Sequence, residues 1–199
     1  MSLSVIIPTI GRPSIVWTLK SVLPELLPGD EAIVVGDGPQ PISKEVSIEA
    51  GARYLETPPT HEWGHAQRNL GMEEAKGRYL AFIDDDDVYL PGAFPAMRRA
   101  ILEAPGKLFI YRMQYKNGIL WEKPELTLNN VSTQMFVFPN VPGRLARWGR
   151  HPKTPNGKGG DWCFAKDTAL LNPDRDVVFR PEVIARLDAH GEGRIQPAG

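Results

Sequence analysis

The sequence predicts an α/β domain built on a mostly parallel sheet with helices on both faces. Three observations carry that expectation. Leu3–Ile7, Ala32–Val35 and Tyr79–Ile83 are short apolar runs without alternation, as a strand covered on both faces requires. Segments of helical period lie between them. The strand-helix alternation continues to about residue 104, which favours parallel strands joined by helical crossovers.

Each element has a local reason. The first strand stops at Pro8, and Gly11-Arg12-Pro13-Ser14 turns into a helix on which Ile15, Leu19, Val22, Leu23 and Leu26 share a face. Pro24 should end that helix early. Gly36-Asp37-Gly38-Pro39 closes the second strand. Ile42–Ala50 is a weak helix, Ala52–Leu55 a third strand, and Pro58-Pro59-Thr60 a loop. A helix over Gly64–Ala75 stops before Gly77. Tyr79–Ile83 runs straight into Asp84-Asp85-Asp86-Asp87, and Pro91–Ala104 forms the next helix.

The pattern then changes. Lys107–Tyr115 and Ile119–Trp121 read as a hairpin turning at Lys116-Asn117-Gly118. Val131–Phe138 reads as one strand and Pro139–Gly160, rich in Pro, Gly and basic residues, as a long mobile loop. A helix is expected from Asp161 to about Leu171 and a last strand at Asp176–Phe179, followed by a polar tail beyond Ala189.

Composition narrows the function. Lys plus Arg is 23 and Asp plus Glu is 24, a net charge of −1, which argues against a general nucleic-acid binder. The single cysteine, Cys163, excludes an intrachain disulfide and a cysteine-built zinc site. No apolar run approaches the ~18 residues of a membrane helix. With no basic, apolar leader at Met1-Ser2-Leu3-Ser4, a cytoplasmic protein is expected.

The four aspartates carry the most chemistry. Like charges this close raise one another's proton affinity unless a cation lies among them. Oxygen-only ligands suit a hard ion, Mg²⁺ or Mn²⁺. Ligands of open α/β sheets bind just beyond the carboxyl ends of strands, where this run lies. Strand alternation would send Asp84 and Asp86 to one side and Asp85 to the other. The competing reading is a solvated acidic turn.

Four segments in this order resemble the family 2 glycosyltransferases of GT-A fold: Ser4-Val5-Ile6-Ile7-Pro8-Thr9, Val34-Val35-Gly36-Asp37-Gly38, Ala66-Gln67-Arg68-Asn69-Leu70-Gly71, and Phe82-Ile83-Asp84-Asp85-Asp86-Asp87 with Pro91-Gly92 behind. Gly160-Asp161-Trp162-Cys163-Phe164 is similar to the family's acceptor-side motif, with glycine at 160 where the family often carries glutamate. Ala189-His190-Gly191 is similar to a histidine-glycine segment near the C-terminus of some members.

The resemblance implies a Rossmann-like GT-A domain. Residues 1–105 would form the nucleotide-sugar half and 106–199 a smaller acceptor-side half of strands and loops. It implies a metal-dependent, inverting hexosyltransferase acting on a nucleoside-diphosphate sugar, with UDP as nucleotide. A glycan, a small molecule or a lipid-linked molecule would accept the sugar. It further assigns Pro8, Thr9, Arg12, Asp37, Arg68, Asp84 and Asp85 to the donor, Asp86 and His190 to a Mn²⁺ or Mg²⁺ ion, and Asp161 to the general base. Trp63 and His65 would line the donor pocket, and Asn69 is read as structural. The basic residues Arg144, Arg147, Arg150, His151, Lys153 and Lys158 suggest a lid over the diphosphate.

Asp161 also reads as a helix N-cap, which would lower its pKa. Two other functions compete. An apolar strand running into Asp84-Asp85-Asp86-Asp87-Val88 also fits a haloacid-dehalogenase-like phosphatase, with Asp84 as nucleophile and Asp86 as acid/base. A nucleotide-sugar-binding protein without catalysis would keep Asp37 and the acidic run but need no base.

Overall fold

In a computed structural model, residues 1–116, 118–149 and 159–187 are described. The strands are β1 (Leu3–Thr9), β2 (Glu31–Asp37), β3 (Arg53–Thr57), β4 (Tyr79–Phe82), β5 (Val88–Tyr89), β6 (Leu108–Tyr115), β7 (Gly118–Leu120), β8 (Phe136–Pro139) and β9 (Val177–Arg186). The helices are α1 (Ile15–Val22), α2 (Pro41–Glu49), α3 (His65–Glu74), α4 (Ala93–Glu103) and α5 (Gly160–Leu170). One-turn 3₁₀ helices cover Leu23–Glu25, where Pro24 ends α1, and Thr133–Met135.

All strands join one sheet in the order β3-β2-β1-β4-β8-β6-β9-β5, with β7 beside β6. β1, β2, β3, β4, β6 and β9 run one way, while β5, β7 and β8 run the other, so the sheet is mostly parallel. Every residue of β1 is buried. Since alternate side chains leave opposite faces of a strand, the sheet is covered on both faces there. α3 packs closely on β1, where a Cβ at Gly71 would lie 2.5 Å from Ile6 Cγ2. That approach explains the small residue on an otherwise buried helix face.

Three sequence expectations change. The run 131–138 splits into the Thr133–Met135 turn and a shorter β8, because Ser132-Thr133-Gln134 interrupts the apolar pattern. The last strand extends well beyond Phe179, as β9 adds to β6 and then pairs with β5. Residues 140–149 form an ordered coil rather than a free loop. Its Trp148 stacks on Phe164 with centroids 4.0 Å apart, and its backbone bonds to both ends of the Asn69 amide. Asn69 is therefore structural, as the sequence suggests. Among the described residues no helix is long and apolar enough to cross a membrane.

Candidate active site

The site forms where β1, β2 and β4 end. Asp37, the last residue of β2, is buried, and its carboxylate accepts Thr60 N at 2.6 Å and His61 N at 2.8 Å. These bonds fold the 58–64 loop over the strand ends. Gly64 permits the last step at φ +76°, where a Cβ would sit 3.0 Å from both Pro8 Cβ and Arg68 Nη1.

The acidic run is a turn, closed by Asp87 N donating to Asp84 O at 3.1 Å, rather than a continuation of β4. Thr18 Oγ1 of α1 fixes it by donating to Asp87 O at 2.7 Å. The turn gathers Asp84, Asp86 and Asp87, with one carboxylate oxygen from each within 4.8 Å of the others. Asp85 points away, 1% exposed, and accepts Thr9 Oγ1 at 2.7 Å, Ile10 N at 3.2 Å and Arg12 Nη1 at 2.6 Å. Asp85 thus organises the loop after β1. Arg12 also lies 3.4 Å from Asp86.

Burial and the neighbouring acids hold Asp86 up at about 6, with Arg12 pulling the other way. Three hard oxygen donors with such mutual repulsion suit a small divalent cation. Asp84 and Asp87 thereby join Asp86 as the residues able to hold one. His190 lies outside the described residues, as do Arg150, His151, Lys153 and Lys158.

Arg68 is buried and central. It donates through Nη1 to Trp63 O at 2.8 Å and through Nη2 to Asp84 Oδ1, and its guanidinium lies 4.9 Å from the Trp148 ring centroid. Asp84 also accepts Gln134 Nε2 at 3.1 Å, and Gln134 Nε2 donates to Asp87 Oδ2 as well.

Two cavities meet at this arginine. One, of about 420 Å³, is lined by all of Pro8, Thr9, Arg12, Asp37, Arg68, Asp84 and Asp85, together with Asp86. The other, of about 510 Å³, is lined by Asp161, Trp162, Thr133 and His65 among others. Trp63, Arg68 and Asp84 line both.

Asp161 stands in the first turn of α5, whose N-cap is Gly159, so Asp161 does not occupy the cap position. The N-cap reading is thus corrected. Instead Asp161 Oδ1 accepts Thr133 Oγ1 at 2.8 Å. Burial pushes its carboxyl above the ordinary 3.8, opposed by Arg68 and Thr133 and reinforced by Asp84. Glycine at 160 has a steric cause, because a Cβ there would lie 2.6 Å from His65 Cε1 and 2.9 Å from Gly149 O.

Arg144 and Arg147 do not reach these cavities as lid residues. They pair with Asp174 and, at 2.6 Å, with Glu73 on the exposed surface. Thr133, Gln134 and Trp148 escaped the sequence reading. The polar trio interrupting 131–138 was the available signal for the first two.

The profile of the family described as "Glycosyl transferase family 2" matches residues 4–156. The chain belongs to glycosyl transferase family 2. An uncharacterized glycosyltransferase of Haemophilus influenzae is 27% identical over 152 residues, covering 72% of this chain and 50% of that protein. The uncharacterized glycosyltransferase YwdF of Bacillus subtilis is 32% identical over 148 residues, covering 69% and 50%. The chain therefore spans about half the length of the curated relatives it matches.

Among solved structures, residues 1–349 of S. aureus TarS superpose with a TM-score of 0.73 at 17% identity, over 94% of this chain and 60% of that one. The TarS complex with UDP-GlcNAc gives 0.73 at 18% identity, over 94% and 58%. These likenesses establish the GT-A fold. The family match disfavours the phosphatase reading. So does the geometry: the would-be nucleophile Asp84 is held by Arg68 and Gln134.

Proposed function

We propose that this family 2 protein is a metal-dependent, inverting hexosyltransferase that moves a sugar from a UDP-sugar to an acceptor hydroxyl. One observation carries the reading. The residues assigned to the donor line one cavity, Asp161 lines the next, and the two share the wall of Trp63, Arg68 and Asp84. That is the geometry of a donor and an acceptor meeting at one carbon. UDP is favoured because the TarS neighbours include structures in complex with UDP and with UDP-GlcNAc.

Residues 1–105 form the donor half and the residues from 106 onward the acceptor half of one domain. Asp37, with a lone pair left on Oδ2 beside its bond from His61 N, accepts a base N–H. The chain at Pro8 and Thr9 borders the nucleotide, and Arg12, 40% exposed on its side chain, turns toward phosphate. Asp84, Asp86 and Asp87 would hold a divalent ion, Mn²⁺ or Mg²⁺, which supplies positive charge to the diphosphate oxygens. Arg68 keeps Asp84 in place.

Asp161 takes the proton of the acceptor hydroxyl as its oxygen bonds to the anomeric carbon. The bond from that carbon to the diphosphate breaks on the opposite face, and the nucleoside diphosphate leaves with the electron pair. A raised proton affinity suits a general base.

The decisive experiment is a panel of nucleotide sugars with Mn²⁺ present, following nucleoside-diphosphate release and the anomeric configuration of the product. Release from a UDP-sugar with inversion is expected. No release from any sugar nucleotide, or a product of retained configuration, overturns the reading.

A further inference from the structure

Two adjacent side chains of the Thr133–Met135 turn reach two separate carboxylate systems. Thr133 Oγ1 donates to Asp161 at 2.8 Å, while Gln134 Nε2 donates to Asp84 at 3.1 Å and also to Asp87. Both residues are buried, at 2% and 1% exposure. The topology explains the placement. β8 runs antiparallel to β4, so the turn that precedes β8 lies against the acidic turn that follows β4.

The amide of Gln134 is oriented rather than merely close. Ser132 Oγ donates to its Oε1 at 2.9 Å, which leaves Nε2 aimed at the acids. A neutral donor here draws two repelling carboxylates together without cancelling their charge. A lysine or arginine in its place would compete with a cation for the same oxygens. Thr133 is likewise a neutral donor, and it favours the charged form of Asp161. Facing Asp161 from other elements are Arg68 and His65 of α3, Asp84 of the acidic turn and Tyr115 of β6, which line the same cavity.

We infer that Thr133 and Gln134 are a positioning pair, one backbone turn that sets the base Asp161 and the cation-binding acids Asp84 and Asp87 at a fixed mutual placement. This inference rests on the glycosyl-transfer reading above. Neither side chain touches the reacting atoms; each acts through the carboxylate it holds.

The test uses the full chain and two readouts. First, Mn²⁺ alone is titrated calorimetrically into wild type and Gln134→Met, which keeps the volume and removes the donor. Binding should weaken by roughly 10- to 100-fold. Second, the pH dependence of kcat is compared for wild type, Thr133→Val and Thr133→Ser. The acid limb should move to higher pH by roughly one unit in Thr133→Val and return in Thr133→Ser. If Gln134→Met misfolds, the Thr133 series decides alone.

Superimposable Mn²⁺ titrations, or a lowered kcat with an unmoved acid limb, overturn the inference while leaving glycosyl transfer intact. A wild type that takes up no Mn²⁺ removes the cation assignment and the role of Gln134 with it. A wild type inactive on every nucleotide sugar removes the underlying reading, a failure visible before any variant is made.

Discussion

The two halves of the sheet build the site by different means. In residues 1–105, β1, β2 and β4 are parallel neighbours, and each delivers a polar residue at or just beyond its carboxyl end: Thr9, Asp37 and Asp84. In the second half the strands run in both directions, and the polar groups come from a 3₁₀ turn and a helix start. Thr133 and Asp161 are 28 residues apart in the chain and meet through one hydrogen bond. The contrast lies in delivery: parallel strand ends set Thr9, Asp37 and Asp84 side by side through the register of the sheet, whereas Thr133 and Asp161 are brought together by a turn and a helix start.

The largest expected effect falls on that second side. Asp161→Asn should lower kcat by about 10²- to 10⁴-fold while UDP binding is unchanged, because the base is lost and the donor cavity is not touched. In the wild type, kcat should rise with pH through the raised pKa of Asp161, placing the acid limb above 3.8. Stability should move the other way. The folded state holds this proton more tightly than the unfolded chain, so its contribution is full below pH 3.8 and is lost as pH rises through the raised value. Asp161→Asn should therefore melt higher at neutral pH, by about 2–4 °C for each 1 kcal/mol relieved, and the gap should close in acid. An active Asp161→Asn enzyme would mean that a different group takes the acceptor proton.

Legibility in the sequence follows the same divide. β1, β2 and β4 were readable because each is an apolar run ended by a polar or conformationally special residue. The residues assigned to the donor could be listed before any contact was known. Asp87 and Gln134 could not, since the gathering of Asp84, Asp86 and Asp87 depends on a turn rather than on strand alternation. Val131–Phe138 looked like one strand because Val131, Met135, Phe136, Val137 and Phe138 are all apolar, and only the intervening Ser132-Thr133-Gln134 marked the turn. Trp148 was hidden in a stretch whose Pro and Gly content suggested mobility, although stacking on Phe164 and two bonds to Asn69 pin it.

A second pair of variants probes how the halves fit together. Gly160→Glu should cost about 1–3 kcal/mol, because the added Cβ meets the His65 ring and the Gly149 carbonyl. Made in a His65→Ala background, Gly160→Glu should cost less than it does in wild type, since the ring is removed but the carbonyl remains. Denaturant melts of the single and double variants measure both. An equal cost of Gly160→Glu with and without the His65 ring would show that the ring is not the obstacle. On the donor side, Arg12→Ala should cost about 1–2 kcal/mol. Asp85 stays buried without its ion partner, but exposure of Arg12 weakens the pair being removed. A melting temperature unchanged within 1 °C, against the expected drop of about 2–8 °C, would mean that Thr9 and the Ile10 amide suffice to hold the carboxylate.

The smallest expected effect on stability belongs to Trp63, and it tests the wall between the halves. The residue is 65% exposed although it lines both cavities, and its backbone sits at φ +57°, where a non-glycine residue is strained. Arg68 holds that conformation by donating to Trp63 O, a bond that survives replacement of the side chain. Trp63→Gly should therefore leave the melting temperature within about 2 °C of wild type, relief of strain offsetting lost contacts. Sugar recognition should suffer instead. Covering about 50 Å² of indole face with a sugar ring, at about 25 cal/mol per Å², is worth about 1.2 kcal/mol, just under tenfold in affinity. KM for the nucleotide-sugar substrates should rise by about that factor while the Kd for UDP, which lacks the transferred sugar, stays put. Equal rises in both would make Trp63 a nucleotide contact, and no rise in either would reduce it to an exposed surface residue and leave Arg68 and Asp84 as the whole partition between donor and acceptor.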